Sequence, residues 1–302
     1  MAVTALLAVS AAMFGGVTSA HATLPGRTGN IAVGLDYSDR GGVNNRRIVV
    51  LNRRGKELRT LGRCERNEFD PPVGRCPFTP AYSADGSRVA FGSVGTDDVS
   101  RLAVAGADGS SLRLLPRLTR NDTEPAWSPG GLIVFTGVTN GKKNLFIVKP
   151  DGTGLRQLTF AGGRTAAWSV RNRIAFVRAG RLYTLNPDGT KRVRLRRGDE
   201  PDFSPSGKRI IYERTVRDNA GFDITRLYIL SSLHRFRRFT RRNGSEPSWS
   251  PAGWTIAFVR FFEELNGLFT VGLNRRGLRE LIAGELGSIN LEVSDPAWQP
   301  LP

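Results

Sequence analysis

The chain has 302 residues, 39% of them hydrophobic, and carries 44 Lys and Arg against 27 Asp and Glu, for a net charge of +17. That is ample apolar material for the core of a globular protein. Beyond the N-terminus no apolar run is long enough to cross a bilayer, which excludes a helical membrane span there.

Taken in chain order, Val3 to Val17 is apolar or small, and Ala20-His21-Ala22 fits a small-x-small cleavage pattern. Residues 1–22 therefore read as a signal peptide, although no Lys or Arg precedes the apolar run. Either the α-amino group serves alone or the start lies inside a longer signal. The alternative is an uncleaved membrane anchor. No Cys follows, so a lipoprotein anchor is not expected.

The first apolar run, Asn30-Ile31-Ala32-Val33, has no aromatic phrase before it. Cys64 and Cys76 follow, in a connection from Gly62 to Thr79 that reads as structureless. A disulfide between them fits an oxidising compartment, and a zinc site would need two more ligands when the only histidines are His21 and His234. Then comes Pro80-Ala81-Tyr82-Ser83-Ala84-Asp85-Gly86, running into Val89-Ala90-Phe91. The phrase returns around Trp127, Trp168, Phe203 and Trp249, each followed by a short Ile-rich run. The chain closes on Pro296-Ala297-Trp298-Gln299-Pro300 with no strand after it. Anchors at 82, 127, 168, 203, 249 and 298 are spaced as four-stranded β-propeller blades are. A second phrase lies half a repeat later, as in Leu145-Phe146-Ile147-Val148-Lys149-Pro150-Asp151-Gly152-Thr153. Asp-Gly between apolar runs marks a tight hairpin.

Each blade thus has strand A (the aromatic phrase), B (Ile-Ala-Phe), C (Leu-Phe-Ile-Val) and D. The half-copies at the two ends complement each other. The expected fold is all-β, a six-bladed β-propeller of four-stranded antiparallel blades. Blade 1 is residues 28–61 plus 294–302, and blades 2 to 6 are 78–115, 123–159, 164–196, 199–240 and 245–282. The C-terminal strand closes the ring and hides the blade edges.

The Pro-Ala-Trp-Ser-Pro-x-Gly and Pro-Asp-Gly-Thr phrases resemble the TolB-type, WD-like β-propeller repeat of bacterial envelope proteins, from about residue 28 onward. The resemblance implies a propeller scaffold. No counterpart of the separate α/β domain that TolB carries before its propeller is expected, since only Thr23 to Thr28 separate the expected signal from the first strand.

The basic charge is mostly Arg, in clusters such as Arg192 to Arg197 and Arg235 to Arg242. They read either as adhesion to an anionic polymer or as decoration of outer strands. No aromatic-interleaved motif points to nucleic acid. There is no Gly-x-Ser-x-Gly elbow, no His-Glu-x-x-His and no phosphate loop, so no catalytic residue is nominated. Dissimilar B–C and D–A connections share one face, the usual place for recognition. On that face Glu124, Glu200, Glu246 and Asp295 each precede the first residue of a Pro-led strand A, at the channel mouth. They nominate a site for a cation or a basic peptide, with local hydrogen bonding as the bland alternative. The functional expectation is an exported, monomeric, non-enzymatic module in the periplasm, cell wall or medium, binding a protein or cell-envelope component. No resident cofactor is expected. The rival is a lactonase- or dehydrogenase-like propeller enzyme using Ca²⁺ on these carboxylates.

Overall fold

The computed structural model describes residues 23–38, 44–66, 73–231, 235–262, 265–283, 285–286 and 289–302. The predicted signal, residues 1–22, lies outside them, as does His234. The described residues form six antiparallel sheets arranged as a β-propeller, each running A, B, C, D. Blade 2 is Cys76–Tyr82, Arg88–Val94, Ser100–Gly106 and Arg113–Leu114. Blade 3 is Asp122–Trp127, Ile133–Thr139, Lys142–Val148 and Arg156–Gln157. Blade 4 is Arg164–Trp168, Ile174–Arg178, Arg181–Leu185 and Val193–Arg197. Blade 5 is Asp199–Phe203, Ile210–Arg217, Asp223–Leu230 and Phe236–Arg238. Blade 6 is Ser245–Trp249, Thr255–Phe262, Leu265–Gly272 and Arg279–Ile282.

Blade 1 is shared between the two ends. Its inner strand Ile289–Leu301 pairs antiparallel with Arg27–Ser38, placing Trp298 opposite Ile31 and Ala297 opposite Ala32. Asn44–Leu51 and Glu57–Arg66 complete the blade, and short strands extend its sheet to six.

The period-2 alternation of each strand explains the packing. In blade 2, Tyr82, Val89, Phe91, Ala103 and Ala105 pack toward blade 1. Ala81, Ala90, Leu102 and Val104 pack toward blade 3, where they meet Trp127, Ile133 and Phe135. Six such clusters fill the six inter-blade seams, each holding one aromatic anchor. The A–B turns repeat one device. The hydroxyls of Ser83, Ser128, Ser169, Ser204 and Ser250 accept from the backbone N–H of the residue that reopens the ladder.

Three connections are more ordered than the sequence reading implied. In the B–C connection of blade 1 the described residues on either side of 39–43 continue the ladder, with Asp36 opposite Arg46 and Tyr37 opposite Asn45. Strand D of blade 1 runs on to Arg66, with Cys64 opposite Arg46 and Gly74. In blade 5 the ladder likewise persists to Arg217 opposite Asp223. A protruding connection still carries one donor and one acceptor per residue, and a prolonged ladder satisfies them. Cys64 and Cys76 form the expected disulfide with Cα atoms 4.8 Å apart. Both are buried, and the bridge joins the outer strand of blade 1 to the inner strand of blade 2. It therefore links two blades rather than stapling a surface loop.

Candidate functional site: a carboxylate-lined lumen

Every strand A breaks register with its strand B at the same place, between Phe78 and Ala81 in blade 2 and at equivalent points in the other five. The bulged residues are Thr79, Glu124, Thr165, Glu200, Glu246 and Asp295, and all six have φ between 48° and 55°. Such left-handed backbone is costly for residues with a Cβ and needs support from its surroundings. Five of the six precede Pro, whose missing N–H suits an innermost edge strand. A bulge re-aims its side chain. Here the six form a ring, which brings the four nominated acids to equivalent positions.

The support comes from the neighbouring blade. The backbone N–H of Thr165 donates to Glu124 Oε2 at 2.8 Å, and the Thr136 hydroxyl donates to the same oxygen at 2.6 Å. The Asp295 N–H donates to Glu246 Oε2 at 2.7 Å. The Glu246 N–H donates to Glu213 Oε2 at 3.0 Å. The bland reading thus holds for Glu124 and Glu246, whose carboxylates hold the next blade's bulge in place. Glu200 is different. It is 1% exposed, and among the described residues both of its carboxyl oxygens lack any hydrogen-bond partner.

Glu124 and Asp295 are equally buried, and Glu246 is half-buried. Burial raises the pKa of Glu124, opposed by its bonds from Thr136 and Thr165. Burial, then the charges of Glu213, Asp199, Glu124 and Glu246, push Glu200 well above the usual carboxylate range. Burial, then Asp295, does the same for Glu246. Among the described residues, the charge of Lys143 bears on Glu124, and two arginines also reach this zone. Arg164 clamps Asp199 with both terminal nitrogens. Burial opposes its charge, but the bond and attraction of Asp199, then Glu200 and Glu124, raise its pKa. Arg46 pairs with Asp36 and feels Asp295 and Glu292.

Glu213 and Arg164 were missed by sequence reasoning. Glu213 was legible in the repeat register, because it stands where other blades carry Gly92, Thr136, Val177 and Val259. Among the described residues no three His, Cys, Asp or Glu side chains converge on a metal-sized site.

The rim carries the opposite chemistry. Between blades 5 and 6 an open crevice of about 380 Å³ has Phe239, Phe258 and Val271 in its floor and Arg241, Arg242 and Arg275 at its lip. Among the described residues none of these three arginines forms an ion pair. Burial, then Arg275 and Arg209, lower the pKa of Arg237. Burial and Arg242 lower that of Arg260, against Glu280. No helix of the described residues is long and apolar enough to cross a membrane.

Solved structures share this architecture. TolB from Acinetobacter baumannii aligns over 92% of this chain and 68% of its own, at 18% identity and a TM-score of 0.68. Hydrazine synthase of Kuenenia stuttgartiensis aligns over 91% of this chain and 47% of its own, at 14% identity and 0.67. An oligogalacturonate lyase in complex with manganese aligns over 78% and 74%, at 12% identity and 0.52. At these identities the likeness is one of fold, which serves unrelated tasks. A search of curated protein sequences finds no match. The sequence model of the TolB beta propeller domain matches residues 57–238. With that match, six blades and the closing strand, the chain belongs to the TolB beta-propeller domain family.

Proposed function

We propose that this chain is an exported, non-enzymatic binding module whose lumen receives a cationic group, such as a Lys or Arg side chain, from a protein or cell-envelope partner. The carrying observation is Glu200, a buried carboxyl with no donor, ringed by Glu124, Glu213 and Glu246. Burial and the neighbouring carboxylates favour the neutral form of such a group in the free protein, and an entering cation favours its ionised form. Binding therefore releases a proton. That no metal-ligand set converges among the described residues favours a basic group over a divalent ion. The disulfide supports export.

The test is calorimetric titration of the mature chain with Lys- and Arg-containing peptides and with Ca²⁺, in two buffers of different ionisation enthalpy. A peptide heat that depends on buffer and disappears in Glu200→Gln supports the reading. A Ca²⁺ heat lost in Glu200→Gln with Glu246→Gln would move the site to the rival metal-dependent class. No heat with any of them removes the lumen as a binding site.

A second reading rests on the rim, where the unpaired arginines suit an anionic polymer. Retention on an anionic column, compared between the native chain and Arg242→Ser with Arg275→Ser, tests it. Unchanged salt elution would discard it.

A further inference from the structure

Position for position, strand A of five blades carries a small residue before its aromatic anchor: Ala81, Ala126, Ala167, Ser248 and Ala297. Blade 5 carries Asp202 there, and it is fully buried. Among the described residues no Lys or Arg forms an ion pair with it. A buried carboxylate without a cation is costly.

Its partner comes from 179 residues away. The Thr23 backbone nitrogen donates to Asp202 Oδ1 at 3.0 Å. The Trp249 N–H donates to Oδ2 at 2.7 Å. The Thr23 hydroxyl lies 2.9 Å from Oδ2 and 2.8 Å from the Trp249 carbonyl, and its single hydrogen serves one of them. Thr23 and Leu24 are 4% and 2% exposed, so this end of the chain is seated between the inner strands of blades 5 and 6. Four residues after Leu24, the Thr28 hydroxyl accepts from the Ala252 N–H at 3.4 Å.

Thr23 is also the residue that follows Ala20-His21-Ala22. We infer that cleavage before Thr23 creates an α-ammonium group that pairs with Asp202, so that maturation supplies the missing cation and locks blades 5 and 6 to the start of the ring. A signal peptidase adds water across the Ala22–Thr23 peptide bond. Ala22 leaves with a carboxylate, and the Thr23 nitrogen becomes an amine that takes up a proton. The nitrogen already stands at hydrogen-bond distance from Oδ1, so no movement of the inner strands is needed. Burial alone drives Asp202 toward its neutral form. A formal positive charge at 3.0 Å reverses that drive. The inference rests on the export reading for its cleavage step but not for its chemistry.

Two chains test it, one liberated so that it begins at Thr23 and one retaining His21 and Ala22, each with Asp202 and with Asp202→Ser. Ser is chosen because blade 6 already holds Ser248 at the equivalent position. The Thr23 chain should melt at least about 5 °C higher than the extended one, and Asp202→Ser should abolish the difference. Equal melting of the two Asp202 chains, or a difference that survives Asp202→Ser, overturns the pairing. Should the Ser variant not fold, native-state acetylation of the Thr23 chain decides. A shielded α-amine reacts far more slowly than the lysines, and an α-amine that reacts as fast as they do overturns the pairing. N-terminal sequencing of the exported protein tests the cleavage separately, and a first residue other than Thr23 overturns the maturation step alone.

Discussion

In the lumen, Glu124 is buried and Glu246 half-buried, and each accepts a backbone N–H from the next blade. On the rim between blades 5 and 6, Arg241, Arg242 and Arg275 border a crevice with no ion pair among the described residues. Both regions collect like charges, but the physical terms differ. Inside, desolvation dominates, so charge must be neutralised by a proton, a donor or an incoming cation. Outside, water and salt screen the arginines, so they can gather at little energetic cost. Charge in the lumen thus bears on stability, whereas charge on the rim bears on association.

The largest effect should come from removing the boundary between the two regions. Deleting 294–302 takes away Ala297 and Trp298, which face Ala32 and Ile31 across the closing ladder. We expect a loss of more than about 5 kcal/mol, comparable to the whole stability of many domains, read as loss of a cooperative melting transition. An unchanged transition would refute closure through these residues.

Within the lumen the acids should not behave alike. Glu124→Ala removes the acceptor shared by the Thr136 hydroxyl and the Thr165 N–H, leaving the N–H only its longer 3.2 Å bond to the Thr136 hydroxyl, and should cost about 1–3 kcal/mol in denaturant unfolding. Glu200→Gln removes a carboxyl that has no donor and should leave stability unchanged or raise it. If both substitutions destabilise equally, the distinction drawn between these two acids is wrong. Replacing Cys64 and Cys76 together by Ala should cost about 2–3 kcal/mol, because the bridge joins two blades.

Acidity should then distinguish lumen from rim. Burial, with Asp199 adding, pushes Glu213 up to about 7, against the Glu246 N–H and Arg164. Its folded value lies above the usual unfolded value of about 4.3. Its contribution is therefore present below that value and is lost as pH rises through about 7. The melting temperature should fall between pH 5 and pH 8, and Glu213→Gln should flatten the fall. The smallest effect belongs to the rim. Arg242→Ser with Arg275→Ser should shift stability by less than about 0.5 kcal/mol.

The sequence by itself determined the propeller, the blade count and the complementary ends, because each blade must repeat one alternating pattern to bury both of its faces. The disulfide and the four acids before strand A were also legible, since each depends on position within a repeat. Only the tertiary structure decided that Glu124 and Glu246 are spoken for while Glu200 is not. That outcome depends on which blade places a hydroxyl or a bulged N–H next door, as Thr136 and Thr165 do for Glu124. The tertiary structure also brought the charges of Arg275 and Arg209 to bear on Arg237 and placed Thr23 onto Asp202. Ring closure sets these long-range meetings, and no local pattern along the chain encodes them.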